Sequence, residues 1–324
     1  MLKRLLSALL VFVFFTVFLC GCAGHRELDK GYMLTSVGFE GVDGGFKVIA
    51  ELLSVSDIQD SSPTPQVLSA ISETPESALY KLSLDFPRAV YFDHCATLAI
   101  GQGIETEKLK SVINYCAKAE NLNLNMYVIH SLDIEALFKT PTVSAAVGYH
   151  IMRLLSFKAK ESGVDYNSKF YQIKKNEGAD NTAFSLPSLS GGEEISLVGS
   201  VIYKDYKTVM ALNNTEGIAY TFLSGDFKNG RVSVGREYAD IKRVKYSLSA
   251  VPQDKAIETE ITATISAFDT TKGFFDALQG EIDALITRAA GEDIFNIKKR
   301  AAERGITAAD QPQKTEIKYK VEKK

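Results

Sequence analysis

The 324-residue chain has no tryptophan, four histidines and four cysteines. Without tryptophan it lacks a side chain that solute-binding clefts often use for stacking. The histidines, His25, His94, His130 and His150, share no metal-ligand spacing. There is no Gly-x-Ser-x-Gly elbow, no His-Glu-x-x-His pair and no Gly-x-x-x-x-Gly-Lys phosphate loop. Gly101-Gln102-Gly103 lacks the third glycine of a dinucleotide fingerprint and reads as a turn. His94 stands between Asp93 and Cys95, but neighbours along a strand point to opposite faces, which favours a structural histidine over a nucleophilic pair. No catalytic residue, metal or cofactor is therefore expected. A charge excess is missing too. A formal net charge of -3 and a pI near 5.9 offer no basic footprint for nucleic acid. Hydrophobic content of 45% and charged content of 24% are those of folded globular domains and exclude a disordered or fibrous class.

What is present starts at the N-terminus. Lys3 and Arg4 precede an apolar run from Leu5 to Leu19, which ends in Leu19-Cys20-Gly21-Cys22. That order is a secretory signal with a lipobox-like end, so residues 1–21 read as a lipoprotein signal peptide. The small Gly21 makes Cys22 the lipidation site, whereas Leu19 before Cys20 is too bulky. The alternative is an uncleaved transmembrane anchor, for which the apolar run is near the lower length limit. Both readings put the folded body outside the cytoplasm on a membrane. Cys95 and Cys116 remain as candidates for a bridge. Cys95 lies in an apolar strand-like run and Cys116 on a helix-like stripe, where free cysteine behaves as a small buried hydrophobe.

Along the chain, Tyr32 to Glu40 and Phe46 to Val55 read as a β-hairpin around Asp43-Gly44-Gly45. A Ser- and Pro-containing loop from Gln59 to Gln66 follows. Thr74-Pro75-Glu76 then supplies an N-cap, a first-turn proline and a first-turn acid for a helix to about Asp85. A strand is expected over Tyr91 to Ile100, a helix from about Glu105 to Lys118, a half-buried strand over Leu122 to Val128, and a long helix from Thr142 to Lys160. Gly191-Gly192 marks a boundary. Beyond it come strands at Ile195 to Tyr203 and Lys207 to Leu212, and a short helix at Thr215 to Leu223. Asn213-Asn214-Thr215 matches a glycosylation sequon but reads as a helix cap. Asn229-Gly230 is a hairpin signal before a strand at Arg231 to Glu237.

The last part has the strictest pattern. Ile257, Ile261 and Ile265 alternate with Glu258, Glu260, Thr262 and Thr264 at period two. Val244, Tyr246 and Leu248 give a similar strand, as do Ile317, Tyr319 and Val321. Pairing of these strands would set Lys318 and Lys320 across from Glu258 and Glu260. Between them a stripe from Phe274 through Leu278, Ile282 and Leu285 to Ala289 forms a helix that covers the sheet. The turn after it carries Asp293, Ile294 and Phe295. These read either as a helix terminus anchored in the core or as a partner-docking loop. The fold class is α+β, with approximate domains at 22–190, 193–240 and 241–324: an N-terminal mixed α/β domain, a small middle domain and a C-terminal α+β domain.

Several segments in this order resemble the Ger(x)C family, the C-subunit lipoproteins of spore nutrient germinant receptors. They are the lipobox followed by Arg26-Glu27-Leu28, the Asp93-His94 strand ending in Ile100-Gly101, and Val198-Gly199-Ser200-Val201-Ile202-Tyr203-Lys204-Asp205. The fourth, Gly291-Glu292-Asp293-Ile294-Phe295-Asn296, is similar to the family's Ala-Asp-Ile-Phe-Gly motif, with Asn296 in place of glycine. Asparagine also visits the left-handed backbone region. The segment after Arg304 is short and lacks the tryptophan usual in the family. The resemblance implies three mixed α/β domains and a lipid-anchored place on the outer face of the inner spore membrane. It also implies a complex with integral-membrane A and B subunits, and no assigned catalytic residues. The reading set against it is a solute-binding lipoprotein of a transporter.

Overall fold

The computed structural model describes residues 31–54, 64–85, 90–119, 122–162, 168–175, 183–227, 229–251, 256–270, 273–289, 292–296 and 312–322. Cys22 and the apolar leader lie outside the described residues. The chain opens with β1 (Tyr32–Val42) and β2 (Gly45–Ser54), antiparallel around Asp43-Gly44 as the sequence dictates. A third strand, β3 (Gln66–Ser72), pairs with the outer side of β2. It was not legible as a strand because Ala70 is its one buried residue, so no alternation announces it. Helix α1 (Pro75–Leu84) starts where the cap predicts: the Thr74 hydroxyl accepts from the Ser77 amide, and Pro75 fills the first turn.

The single strand expected over residues 91–100 is two, β4 (Val90–Tyr91) and β5 (Thr97–Ile100), both parallel to β1 and separated by a turn. After α2 (Glu107–Lys118) the next strand also starts late. β6 (Tyr127–His130) is preceded by a turn in which the Asn123 side chain accepts from the Asn125 amide at 2.9 Å. That local bond competes with strand geometry and overrides the Leu122-Leu124-Met126 alternation. Helix α3 (Ile134–Phe138), capped by Asp133, was missed because it is barely one turn long. Helix α4 (Val147–Ser162) begins five residues after the expected Thr142, where the Thr142 hydroxyl bonds the Ser144 carbonyl and Val143 is fully exposed. Then come α5 (Phe170–Lys175), β7 (Ala183–Ser190), β8 (Ser196–Lys204) and β9 (Lys207–Leu212).

These strands form one mixed nine-stranded sheet, ordered β3-β2-β1-β5-β6-β7-β8-β9 with β4 on β1. Helices α1, α2 and α5 pack on one face through Leu79, Leu82, Leu109, Val112 and Phe170. Helices α3 and α4 pack on the other through Ile134, Phe138, Ile151 and Leu155. Strands covered on both faces are expected where parallel pairing is central. Hydrogen bonding continues from β7 through β8 to β9, across the Gly191-Gly192 position where composition changes.

The rest of the chain builds a second sheet. Helix α6 (Asn214–Ser224) is capped by Asn213, which accepts from the Glu216 amide while Glu216 accepts from the Asn213 amide. Strands β10 (Gly230–Val234), β11 (Glu237–Val251), β12 (Ala256–Thr270) and β13 (Pro312–Glu322) lie in sequence order, and α7 (Phe274–Arg288) connects β12 toward β13. The β10–β11 hairpin turns at Gly235-Arg236, with Val234 opposite Glu237. Asn229-Gly230 instead leads from α6 into β10. The expected lysine–glutamate pairing is also shifted. β13 runs parallel to β12 in a register that sets Lys318 level with Thr262 and Lys320 with Thr264, leaving Glu260 beside Glu316 and Glu258 beside Lys314. Alternation fixed which residues share a face, but not the register. The second core joins Phe222, Ile241, Phe274, Leu278 and Ile282 to Ala183, Ile202 and Leu212 of the first sheet.

Candidate functional site

The 292–296 turn lies where the two sheets meet. Ile294 and Phe295 are buried. The Phe295 ring lies 5.7 Å from that of Tyr220, whose hydroxyl donates to the Ile294 carbonyl at 3.3 Å. Asp293 is buried as well, and its carbonyl accepts from the Asn296 amide. Asn296 adopts φ 56°, the left-handed conformation that permits asparagine. Its side-chain amide spans the backbone of Ala183 on β7, with Nδ2 donating to the carbonyl and Oδ1 accepting from the amide, both at 2.9 Å. Glycine cannot make those two bonds. The exposed Glu292 pairs with Lys204 at the end of β8, at 2.8 Å. The segment 198–205 and the described part of the second motif, 292–296, are thus joined in space. Within β8, Gly199 has φ 151°, and a Cβ there would meet the Leu212 carbonyl oxygen at 1.9 Å. Only glycine fits that close crossing of β8 and β9.

A second polar cluster was not foreseen. Glu51 on β2 is fully buried and accepts four hydrogen bonds. These come from the Thr35 hydroxyl at 2.6 Å, the Ser36 hydroxyl at 2.9 Å, and the α4 amides of Val147 at 2.6 Å and Gly148 at 3.0 Å. Four donors and the positive end of a helix compensate the carboxylate without a cation. Gly148 permits the approach, since a Cβ there would lie 2.2 Å from the Thr35 carbonyl oxygen. The cluster latches α4 to the β1–β2 hairpin and leaves the carboxylate no spare reach for substrate. The only advance signal was a glutamate inside the apolar run Phe46 to Val55.

Other described titratable groups do not converge on one site. Cys95 and Cys116 are free and buried in the first core. Burial pushes the Cys95 thiol up to about 12 and raises that of Cys116, so neither is a thiolate nucleophile at neutral pH. His94 and Asp93 stand 3.9 Å apart and exposed while Cys95 is fully buried. His130 bonds Ser188 at 3.1 Å between β6 and β7, and its burial lowers its pKa. Lys169 sits 3.3 Å over the Tyr127 ring and donates to the Asn125 carbonyl, with burial bringing it down to about 8. Between α1 and α2 an open groove of about 660 Å³ is lined by Glu76, Glu107, Lys110, Asn114, Tyr115 and Lys118. Among the described residues no group of His, Cys, Asp and Glu is placed to hold a metal. Nor is any described helix long and apolar enough to cross a membrane.

The family model for the spore germination protein N-terminal domain matches residues 24–190. That range takes in just over half of the chain and ends on the last residue of β7. The chain belongs to the Ger(x)C family of spore germination proteins. The Ger(x)C match starts two residues after Cys22. A crystal structure of the GerBC protein is similar to part of the chain. It aligns with a TM-score of 0.45 and 14% identity, over 89% of this chain and 96% of that one. At that distance the likeness carries no residue-by-residue correspondence. No curated protein matches the chain.

Proposed function

We propose that this protein is the membrane-tethered C subunit of a nutrient germinant receptor, lipidated at Cys22 and docked to integral-membrane A and B subunits. The observation that carries the reading is the family match over residues 24–190, which begins two residues after Cys22 of a lipobox-like Leu19-Cys20-Gly21-Cys22. The subunit acts by position rather than by chemistry. Among the described residues, the buried Glu51, Cys95, Cys116 and His130 are held within the fold, and no group of His, Cys, Asp and Glu converges to hold a metal. The tether at Cys22 places the body on the extracytoplasmic face of the membrane, at the inner membrane of the spore, and makes encounter with the other subunits effectively intramolecular. Asp293, Ile294 and Phe295 serve this reading indirectly, by fixing the second sheet against the first.

Affinity isolation from detergent-solubilised spore membranes, with mass spectrometry of the N-terminal peptide and of co-purifying chains, tests the proposal. The expected result is a lipidated Cys22 together with two polytopic subunits. A lipidated Cys22 with transporter components would replace this reading with a solute-binding lipoprotein, and a retained apolar leader would remove the lipid tether.

A further inference from the structure

On the four-stranded sheet, the register sorts charge by face. Arg243 is opposite Thr264 and Lys245 opposite Thr262; Thr264 is in turn level with Lys320, and Thr262 with Lys318. Positions level across a sheet share a face. Two adjacent rows therefore carry four cationic positions around two threonines, with no carboxylate between them. Arg243 and Lys245 are exposed, while Val244 between them packs against the second core with α7, which settles that this face points away from the helix. The strip is bounded. Glu260 and Glu316 occupy the next row beside Ser247, Glu258 and Lys314 the one after, and Glu322 lies beyond Lys320 opposite Ser266. Strand spacings make the basic strip about 7 Å along the strands and about 10 Å across. The whole chain has a formal net charge of -3, so this concentration of cations does not follow from composition.

We propose that the strip formed by Arg243, Lys245, Lys318 and Lys320 is a membrane-facing site for the phosphate groups of anionic phospholipids. From Ser266 to Glu258 on β12, and at the positions level with them, this face carries no apolar residue. A protein partner ordinarily needs apolar or aromatic anchors at the centre of its interface, whereas headgroups need cations and hydroxyls. Clusters of about four to eight cations beside a membrane suit recognition of anionic headgroups. The inference rests on the tethered reading for its geometry: the lipid at Cys22 supplies residence on the membrane, and the strip supplies the orientation of the body.

The test uses the full-length lipidated chain on vesicles of phosphatidylcholine alone or mixed with phosphatidylglycerol. Acylation rates of Lys245, Lys318 and Lys320 are read by mass spectrometry, with the exposed Lys81 on α1 as reference. We expect acylation of the three lysines to fall several-fold on the anionic vesicles only, and to recover in high salt. The charge-reversal variant R243E/K245E/K318E/K320E, checked by its melting transition, should lose the anionic increment in partition, at least about tenfold. If that variant does not fold, K318Q/K320Q should lose a measurable part of the increment. E260Q/E316Q should enlarge it. Equal acylation on both vesicles, or an increment that survives charge neutralisation, overturns the proposal. Failure of the tether reads differently, as lost binding to neutral vesicles with the anionic increment intact.

Discussion

In the nine-stranded sheet all four residues of β5 are buried, whereas in β11 the half-buried Val244 is flanked by exposed Arg243 and Lys245. The first sheet has helices on both faces and a parallel centre, so a charged group inside it needs partners within the fold. Glu51 and its four donors are the outcome. The second sheet packs Val244 against the core on one face, while on the other Arg243, Lys245 and Ser247 of β11 are exposed. Its core is not self-contained either, because Ala183, Ile202 and Leu212 of the first sheet complete it. One region is constrained by what it encloses, the other by what it leans on.

The largest expected effect breaks the enclosed region. Glu51→Ala leaves the Thr35 and Ser36 hydroxyls and two α4 amides without their acceptor and should cost at least about 3 kcal/mol. Denaturant melts of the purified protein, with hydrogen exchange in α4, measure it. Loss of less than about 1 kcal/mol would show that the latch is dispensable. Phe295→Ala should cost about 3–5 kcal/mol through the second core. Because that core borrows from the first sheet, both regions should melt earlier together. A first region unmoved by the change would make the two sheets thermodynamically separate, and an unchanged melt with lost partner binding would return Phe295 to the docking role.

Smaller effects probe the seam. Asn296→Gly, which introduces the residue usual in the family, removes two bonds to Ala183 while easing the left-handed backbone, for a net loss of about 0.5–1.5 kcal/mol in melting experiments. A stabilised variant would mean that backbone strain outweighs the bonds. Lys204→Met breaks the pair with Glu292 and should change stability by less than about 1 kcal/mol, since Glu292 is half exposed.

The smallest effect is a pH dependence confined to the enclosed region. Burial depresses the pKa of His130 in the folded state, so its contribution is complete above the ordinary histidine value of 6.5. It is lost as pH falls from there through the depressed folded value, because the unfolded chain takes up the proton first. His130→Gln should flatten that part of the stability profile. An unchanged slope in the variant would assign the dependence to other groups.

Much of the fold could be read from local patterns. The β1–β2 hairpin, the Thr74 and Asn213 caps, α2, α6, α7 and strand β12 all stand where spacing put them. Failures came where a local bond or a long-range partner decided. The Asn123 turn shortened β6, the turn at Asp93-His94 split a strand, and β3 exists because β2 offers it an edge. At the candidate site the buried turn residues were marked by their place after an amphipathic helix. The Glu51 latch had no signal beyond one acid in an apolar run.

By itself the sequence determined the alternation of strands, the caps, the free thiols' apolar settings, and the family to which the chain belongs, because each depends on residues close together or on their order. Only the tertiary structure decided that β7, β8 and β9 continue the first sheet, and that Asn296 grips Ala183. It alone sets Lys318 and Lys320 level with Thr262 and Thr264 rather than Glu258 and Glu260. Period-two alternation repeats itself every second residue and so cannot choose a register. That choice falls to bulges, helix packing and the buried polar groups that must be satisfied at once.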